Sequence, residues 1–167
     1  MEGPCLQHWV ASRGESDSCK GCLGLEGGVD RLAALKLEIF TLCESAADYA
    51  GKLCILGAFD HVAAPHAPHV VQRCAVVARL RFHRVEEGTH KLRVSVADAD
   101  GRSVVPNVEA QVTVPFPEAA QSATFNLVVH INGLKLAAFG EYTTDIAVDG
   151  MHLGSLPLYF GRAEAKA

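Results

Sequence analysis

Apolar and polar residues alternate in one run after another from Lys36 almost to the end of the chain. In residues 91–96, for example, Leu92, Val94 and Val96 are separated by polar residues. Alternation with a period of two is typical of a strand with one buried face. Runs of this kind, together with short apolar runs bounded by turn residues, predict about nine strands, at residues 36–42, 53–59, 74–83, 90–97, 108–114, 123–131, 134–139, 142–148 and 153–160.

Helical patterns are short in this sequence. The best helical candidate is residues 43–50, which would form one or two turns. A parallel sheet needs crossover connections of a dozen or more residues, usually helices, so a parallel α/β fold is disfavoured. The glycine-rich motifs G-x-G-x-x-G and G-x-x-x-x-G-K-[ST] that hold nucleotide phosphates do not occur.

Three dipeptides supply residues that tolerate the positive φ of tight hairpin turns: Asn132-Gly133, Asp149-Gly150 and Asp100-Gly101. We predict a hairpin at each, with Asp100 in the left-handed region beside Gly101. The sequence therefore predicts an all-β fold, an immunoglobulin-like antiparallel β-sandwich of about nine strands with a disordered N-terminal tail.

Residues 1–34 lack any period of two or 3.6 and contain the single Trp. A short helical turn at residues 29–35 would be stable only if it packed against another element. We expect a disordered or mistranslated leader at 1–35, a β-sandwich domain at 36–161 and a flexible tail at 162–167.

Several segments resemble a family of small uncharacterised bacterial proteins, a domain of unknown function. They are Leu37-Glu38-Ile39-Phe40-Thr41-Leu42-Cys43, residues 48–53, residues 55–60, Glu86-Glu87-Gly88-Thr89-His90 and residues 98–102. The resemblance covers about residues 36–160 and implies a compact β-sandwich with no known activity. It also implies that the chain begins at the Lys-Leu-Glu-Ile-Phe strand, with Leu35 at the position of an alternative start codon. An intact mass of the native protein that includes residues 1–34 would contradict this expectation.

Composition and charge narrow the function classes. The 167 residues carry a net charge of −4, so no overall attraction to nucleic acid or an anionic membrane is expected. No apolar segment is long enough to span a membrane as a helix, and a secretory signal is missing, which predicts a cytoplasmic protein. Cys43, Cys54 and Cys74 lie in or beside apolar runs and are predicted to be buried free thiols. The isolated Cys19-x-x-Cys22 lacks a second ligand pair for zinc.

The segment after Phe59 contains the strongest metal-like pattern. Asp60, His61, His66 and His69 are donors that suit zinc or another divalent ion. Pro65 and Pro68 favour an extended backbone, which would keep the three imidazoles apart. We therefore keep two interpretations: solvent-exposed histidines in a loop, or a metal- or small-ligand site. No cofactor is expected otherwise.

A hairpin between residues 74–83 and 90–97 would place Arg79 opposite Arg93 and Arg81 opposite Lys91. Four like charges on one face repel unless a neighbouring carboxylate, such as Glu109 or Glu141, compensates. The alternative is a site for an anion or an acidic protein partner, because arginine binds carboxylates and phosphates with two hydrogen bonds.

Catalytic patterns are sparse. No G-x-S-x-G motif occurs, and Ser155 lies within a strand-like run. The Asp98-x-Asp100-Gly101 pattern is typical of a turn as well as of a calcium loop, but the distal ligands of a calcium loop are absent. The sequence gives no specific activity; it predicts a binding or structural interaction module with a protein partner or self-association. We expect the contact at an edge strand such as residues 134–139 or at the four basic residues.

Overall fold

The computed structural model describes residues 35–163, which form an all-β domain of two sheets. Within this range no helix is long and apolar enough to cross a membrane. The expectations for residues 1–34 and 164–167 lie outside the described residues. The nine strands of residues 35–163 are β1 (Lys36–Tyr49), β2 (Lys52–Phe59), β3 (His61–Ala64), β4 (His69–His83), β5 (Gly88–Asp98), β6 (Val108–Val114), β7 (Ser122–Leu136), β8 (Gly140–Val148) and β9 (Met151–Arg162), with one 3-10 turn at Arg84–Glu86.

The strands divide into a four-stranded sheet with the order β2-β1-β4-β7 and a five-stranded sheet with the order β3-β9-β8-β5-β6. Neighbouring strands are antiparallel except β3 and β9, which are parallel. The four edge strands in the described range are therefore β2, β7, β3 and β6. The sandwich type and its immunoglobulin-like connectivity stay predictions.

Both sheets contribute side chains to one main core. Leu80 and Phe82 of β4 are fully buried, as are Ile146 of β8 and Leu158 of β9. The alternation predicted from the sequence is confirmed in β5, where Leu92, Val94 and Val96 are buried. Burying a side chain of this size contributes about 1.5–3 kcal/mol, so this shared cluster is the main source of stability.

The helical candidate at residues 43–50 does not form a helix, because β1 continues through it to Tyr49. Residues 42–49 pair with β2, and Ala50 (φ 50°) and Gly51 (φ 77°) form the tight turn between the two strands. One isolated helical turn fixes several dihedral angles for few hydrogen bonds. A continuous ladder to β2 satisfies the same backbone groups.

Two of the three predicted hairpin turns need correction. The chain passes straight through Asn132-Gly133, because β7 pairs with the long strand β4 along its whole length. The segment 134–136 is thus the end of β7, and the rest of the predicted strand 134–139 is outside it. At the second turn Gly101 alone has positive φ, 76°, and its N–H donates to Asp98 O at 2.9 Å. Asp149 (φ 51°) and Gly150 (φ 81°) form the third hairpin turn as predicted.

The end of the β1–β2 hairpin folds over the face of the four-stranded sheet that points away from the main core. Asn126 Nδ2 on β7 donates to Asp48 Oδ2 at 2.7 Å and to Gly51 O at 3.1 Å. Beneath it lies a second cluster of buried apolar residues, formed by Cys43, Ala46, Ala75 and Val77. This packing holds the hairpin and leaves the outer side of β2 exposed.

Candidate functional site

The edge of β2 is the most unusual surface of the described domain. β2 hydrogen-bonds to β1 on one side and has no strand on the other within residues 35–163. Leu56 is 68% exposed, Ile55 is 37% exposed, and the Cys54 thiol is exposed. Lys52 is the only charged residue of the strand. An open edge with exposed apolar side chains is a template for pairing with another strand.

The other three edges carry features that oppose pairing. β7 exposes His130 and Lys135, and β6 exposes Glu109. β3 has only four residues and is followed by Pro65, which has no N–H to donate. Charges, short strands and prolines are the usual means by which natural proteins block edge pairing. β2 carries one charge, as β6 does, but among the edges in the described range it alone exposes leucine and isoleucine side chains.

Gly57 determines the local shape of β2. Its φ is +65°, and a Cβ at this position would lie 3.0 Å from the side chain of Glu44. Only glycine adopts this backbone conformation without strain and leaves room for the Glu44 side chain. The Glu44 carboxylate therefore lies over the second half of the strand.

The two ends of β2 differ in charge. Lys52 begins the strand and is exposed, whereas exposed Asp60 follows its last residue and exposed Glu44 covers Gly57. Beside the Asp60 end lies a cavity of about 370 Å³ lined by Thr41, Leu42, Ala58, Phe59, Asp60, Leu156 and Pro157. The residues of β2 itself are therefore basic at the start and apolar in the middle, and an acidic residue, Asp60, follows the end.

The structure does not bring the four candidate metal ligands together at one point. His61 and His69 line one groove of about 710 Å³ together with Arg73 and Asn132. His69 stacks on Phe160 with ring centroids 6.1 Å apart. Asp60 lines the other cavity, and His66 is exposed in the segment between β3 and β4. No group of three or more His, Cys, Asp or Glu side chains in residues 35–163 is placed to hold a metal ion, so the metal alternative is not supported.

The predicted pairing of four basic residues is also wrong. Arg79 and Arg81 belong to the four-stranded sheet, whereas Lys91 and Arg93 belong to the five-stranded sheet. The 3-10 turn Arg84–Glu86 lies where the chain passes from one sheet to the other, so β4 and β5 are not hairpin partners. Arg93 lies opposite Glu109, one of the two compensating carboxylates considered from the sequence.

A carboxylate that the sequence pattern did not indicate, Glu38, neutralises Arg79 and Arg81. Glu38 of β1 accepts hydrogen bonds from Arg79 Nε at 3.1 Å and Arg81 Nε at 2.5 Å. The hydrogen bond from Arg81 is the main reason that the pKa of Glu38 is lowered, and Arg79 adds to it against the opposing effect of burial. The two arginines are thus already paired, which removes the main argument for an anion site there.

Ser155, His152 and Asp145 meet on the five-stranded sheet. Ser155 Oγ donates to Asp145 Oδ1 at 2.5 Å, and His152 Nε2 lies 2.9 Å from Ser155 Oγ and 3.4 Å from Asp145 Oδ1. In a catalytic triad the carboxylate orients the imidazole through Nδ1 while Nε2 receives the serine proton. Here the carboxylate takes the serine hydrogen bond itself, so the arrangement does not activate the hydroxyl.

The Asp98-x-Asp100-Gly101 segment uses its carboxylate within the turn. Asp98 Oδ1 accepts hydrogen bonds from the backbone N–H groups of Asp100 at 3.0 Å and Arg102 at 2.8 Å. This is the side-chain capping expected of an aspartate in a turn. The turn interpretation therefore accounts for the Asp98 carboxylate without a metal.

Burial divides the three cysteines of the described domain. Cys43 and Cys74 are buried free thiols as predicted, whereas Cys54 is exposed, which corrects the expectation. Burial raises the pKa of Cys43, and burial with the nearby Cys43 raises the pKa of Cys74 to about 11. The apolar run around Cys54 predicted a strand correctly, but nothing in that run shows that it lies at an edge.

Two solved structures of other proteins are similar to this chain at low scores. A structure of Pseudomonas fluorescens alkylpurine DNA glycosylase AlkC bound to DNA containing an abasic site analog is similar over 77% of this chain and 30% of that one, with a TM-score of 0.40 and 9% identity. A glycosyl hydrolase family 2 member from Bacteroides cellulosilyticus DSM 14838 is similar over 74% of this chain and 15% of that one, with a TM-score of 0.38 and 11% identity.

Similarities at such low TM-scores carry no argument about this chain, which spans less than a third of either protein. No curated protein matches the sequence significantly. The resemblance to an uncharacterised family is confirmed, since a family match extends over residues 38–161. The chain belongs to DUF6941, a family of unknown function.

Proposed function

We propose that this domain is a protein-interaction module that binds an extended segment of another chain along the free edge of β2. The observation that supports the proposal is the exposure of Cys54, Ile55 and Leu56 on an edge strand with one terminal charge. Strand addition at a sheet edge gains affinity from main-chain hydrogen bonds and specificity from alternate side chains.

The physical gain from such pairing comes from two sources. A partner strand would supply hydrogen bonds to the backbone groups of β2 that do not face β1. It would also cover Leu56, and full burial of a leucine side chain is worth about 1.5–3 kcal/mol. The adjacent cavity beside Asp60 offers room for a side chain of the partner.

The two surfaces expected from the sequence are weaker candidates. Residues 134–136 do lie on an edge strand, β7, but Leu134 and Leu136 are buried and the exposed residue between them is Lys135. The basic residues are divided between two sheets, and Arg79 and Arg81 are paired with Glu38. The β2 edge combines apolar exposure with an open backbone.

A peptide-binding experiment tests the proposal. The probes are fluorescent eight-residue apolar peptides, one with the sequence of β2 carrying Ser in place of Cys, each with terminal lysines for solubility. We expect saturable binding to the full chain, and loss of binding when alternate peptide nitrogens are methylated, because methylation removes the N–H donors.

Variants of the protein locate the binding site. Leu56→Lys is expected to abolish peptide binding, since it places a charge at the centre of the edge. Val85→Lys is the matched control, because Val85 is 74% exposed but lies in the 3-10 turn. If every peptide in the panel fails to bind at protein concentrations at which the chain is monomeric, or if binding survives Leu56→Lys, the β2 edge is not a strand-binding site.

A further inference from the structure

We infer that the partner at the β2 edge is a second copy of this chain, paired antiparallel about a two-fold axis that passes near Ile55. This inference rests on the proposed function and names the occupant of the same edge. The residues of β2 support this inference, because in an antiparallel pair the start of each strand faces the end of the other, and those two ends are complementary.

The charges give the first argument. In an antiparallel pair, Lys52 at the start of one β2 approaches the end of the other, which Asp60 follows. Two-fold symmetry repeats the contact, so each dimer contains it twice. A parallel pair would instead align Lys52 with Lys52 and Asp60 with Asp60, and like charges opposite one another are destabilising.

The apolar side chains give the second argument. Lys52, Cys54, Leu56 and Ala58 follow one another on one face of the strand, and all four are exposed. An antiparallel partner centred near Ile55 brings its own Leu56 against Cys54. A large side chain on each copy then covers a small one on the other, and the exposed apolar face is buried on both.

The other face of the strand is consistent with this arrangement. Leu53 packs against the second cluster, and Phe59 packs against the main core. These contacts fix β2 to its own domain while the Cys54–Leu56 face stays open. The edge is therefore preorganised, which lowers the entropy cost of pairing.

Sedimentation velocity over a range of concentrations tests the inference on the full chain. We expect a monomer–dimer equilibrium that Leu56→Lys shifts to monomer and Val85→Lys leaves unchanged. Lys52→Asp and Asp60→Lys should each weaken dimerisation about tenfold, since each replaces two attractive contacts with two repulsive ones. The double variant Lys52→Asp/Asp60→Lys should restore it, because the charges are exchanged and the two-fold pairing is kept.

Cys54 supplies an independent distance measurement. In a chain with Cys5, Cys19 and Cys22 replaced by Ser, the thiols that remain are Cys43, Cys54 and Cys74, and only Cys54 is exposed. A short bismaleimide should link two copies through Cys54, and Cys54→Ser should abolish the product.

The outcomes separate the inference from the function it rests on. A chain that stays monomeric while apolar peptides still bind at β2 overturns the second copy as the partner and leaves the strand-binding function standing. A monomer that binds no peptide overturns both. A dimer that is insensitive to Leu56→Lys and gives no Cys54 link forms through another surface, which also overturns the inference.

Discussion

His90 Nδ1 lies 2.7 Å from Asp149 Oδ2, and this contact ties the start of β5 to the turn between β8 and β9. The other ring nitrogen, Nε2, lies 2.7 Å from the carbonyl oxygen of Glu86. Two acceptors require two donors, which only the protonated imidazole provides. Burial by itself would lower the pKa of His90, but the hydrogen bonds to Asp149 and Glu86 outweigh it and raise the pKa.

The stability of the domain should therefore depend on the charge of His90. A pKa that is higher in the folded state adds stability that is complete below the unfolded-state pKa and is lost as pH rises through the folded-state pKa. We expect the free energy of unfolding in urea to fall through this residue as pH rises from the ordinary histidine pKa of 6.5 through the raised folded-state pKa of His90.

His90→Gln should remove that part of the slope, and His130→Gln, at an exposed histidine, is the matched control. Equal slopes in the parent protein and in His90→Gln would contradict the prediction. In the acidic part of the pH range Asp149 matters as well. Its pKa is lowered, chiefly by the hydrogen bond from the backbone N–H of Lys91 and then by the hydrogen bond with His90. Its contribution is present above its unfolded-state pKa and disappears as pH falls through the folded-state value.

Core and edge leucines should respond differently to truncation. Leu80 is fully buried in the main core, so Leu80→Ala should lower the free energy of unfolding by about 2–5 kcal/mol. Leu56 is 68% exposed, so Leu56→Ala should change it by less than about 0.5 kcal/mol in the monomer. Denaturant titration at low protein concentration measures both. A large loss for Leu56→Ala would show that this side chain is buried within its own domain.

Gly57→Ala tests the shape of β2. The substitution places a side chain at positive φ, at a cost of about 1–2 kcal/mol, and also displaces Glu44. Gly101→Ala is the matched control, because Gly101 has φ +76° but no atom near the position of a Cβ. The cost in urea unfolding should be greater at Gly57 than at Gly101, and Glu44→Ala should reduce the difference. Equal costs at the two glycines would be inconsistent with the Glu44 contact.

Thiol reactivity should follow the burial of the cysteines. Cys54 should react with iodoacetamide in the folded protein, whereas Cys43 and Cys74 should react only on unfolding, because their thiols are buried and their pKa values are raised. Mass spectrometry of peptides from samples labelled over time measures each site. Modification of Cys74 at the rate of Cys54 would disprove the buried environment of β4.

Local sequence patterns determined most of the strands. The alternation in residues 91–96 and 142–148 marks which side chains are buried, because a strand exposes opposite faces at successive residues. The turn at Asp149-Gly150 was predictable for the same reason, since positive φ at two adjacent positions is a local property. Two segments differ from what their local sequence indicates, residues 43–50 and Asn132-Gly133. In each, backbone pairing with a neighbouring strand outweighs the local preference for a helix or a turn.

Which strands are neighbours and which lie at an edge depends on the packing of the folded domain. Every strand offers the same backbone donors and acceptors whatever its residues. The sequence of β2 therefore does not indicate that one of its two sides has no neighbouring strand. Long-range pairing was hidden from the sequence in a second place. The fold puts Arg79 and Arg81 in a different sheet from Lys91 and Arg93. It pairs the first two with Glu38, which is 41 residues or more away along the chain. Residue patterns thus predicted a series of strands with defined faces, and the lateral packing of those strands in the folded domain created the exposed edge.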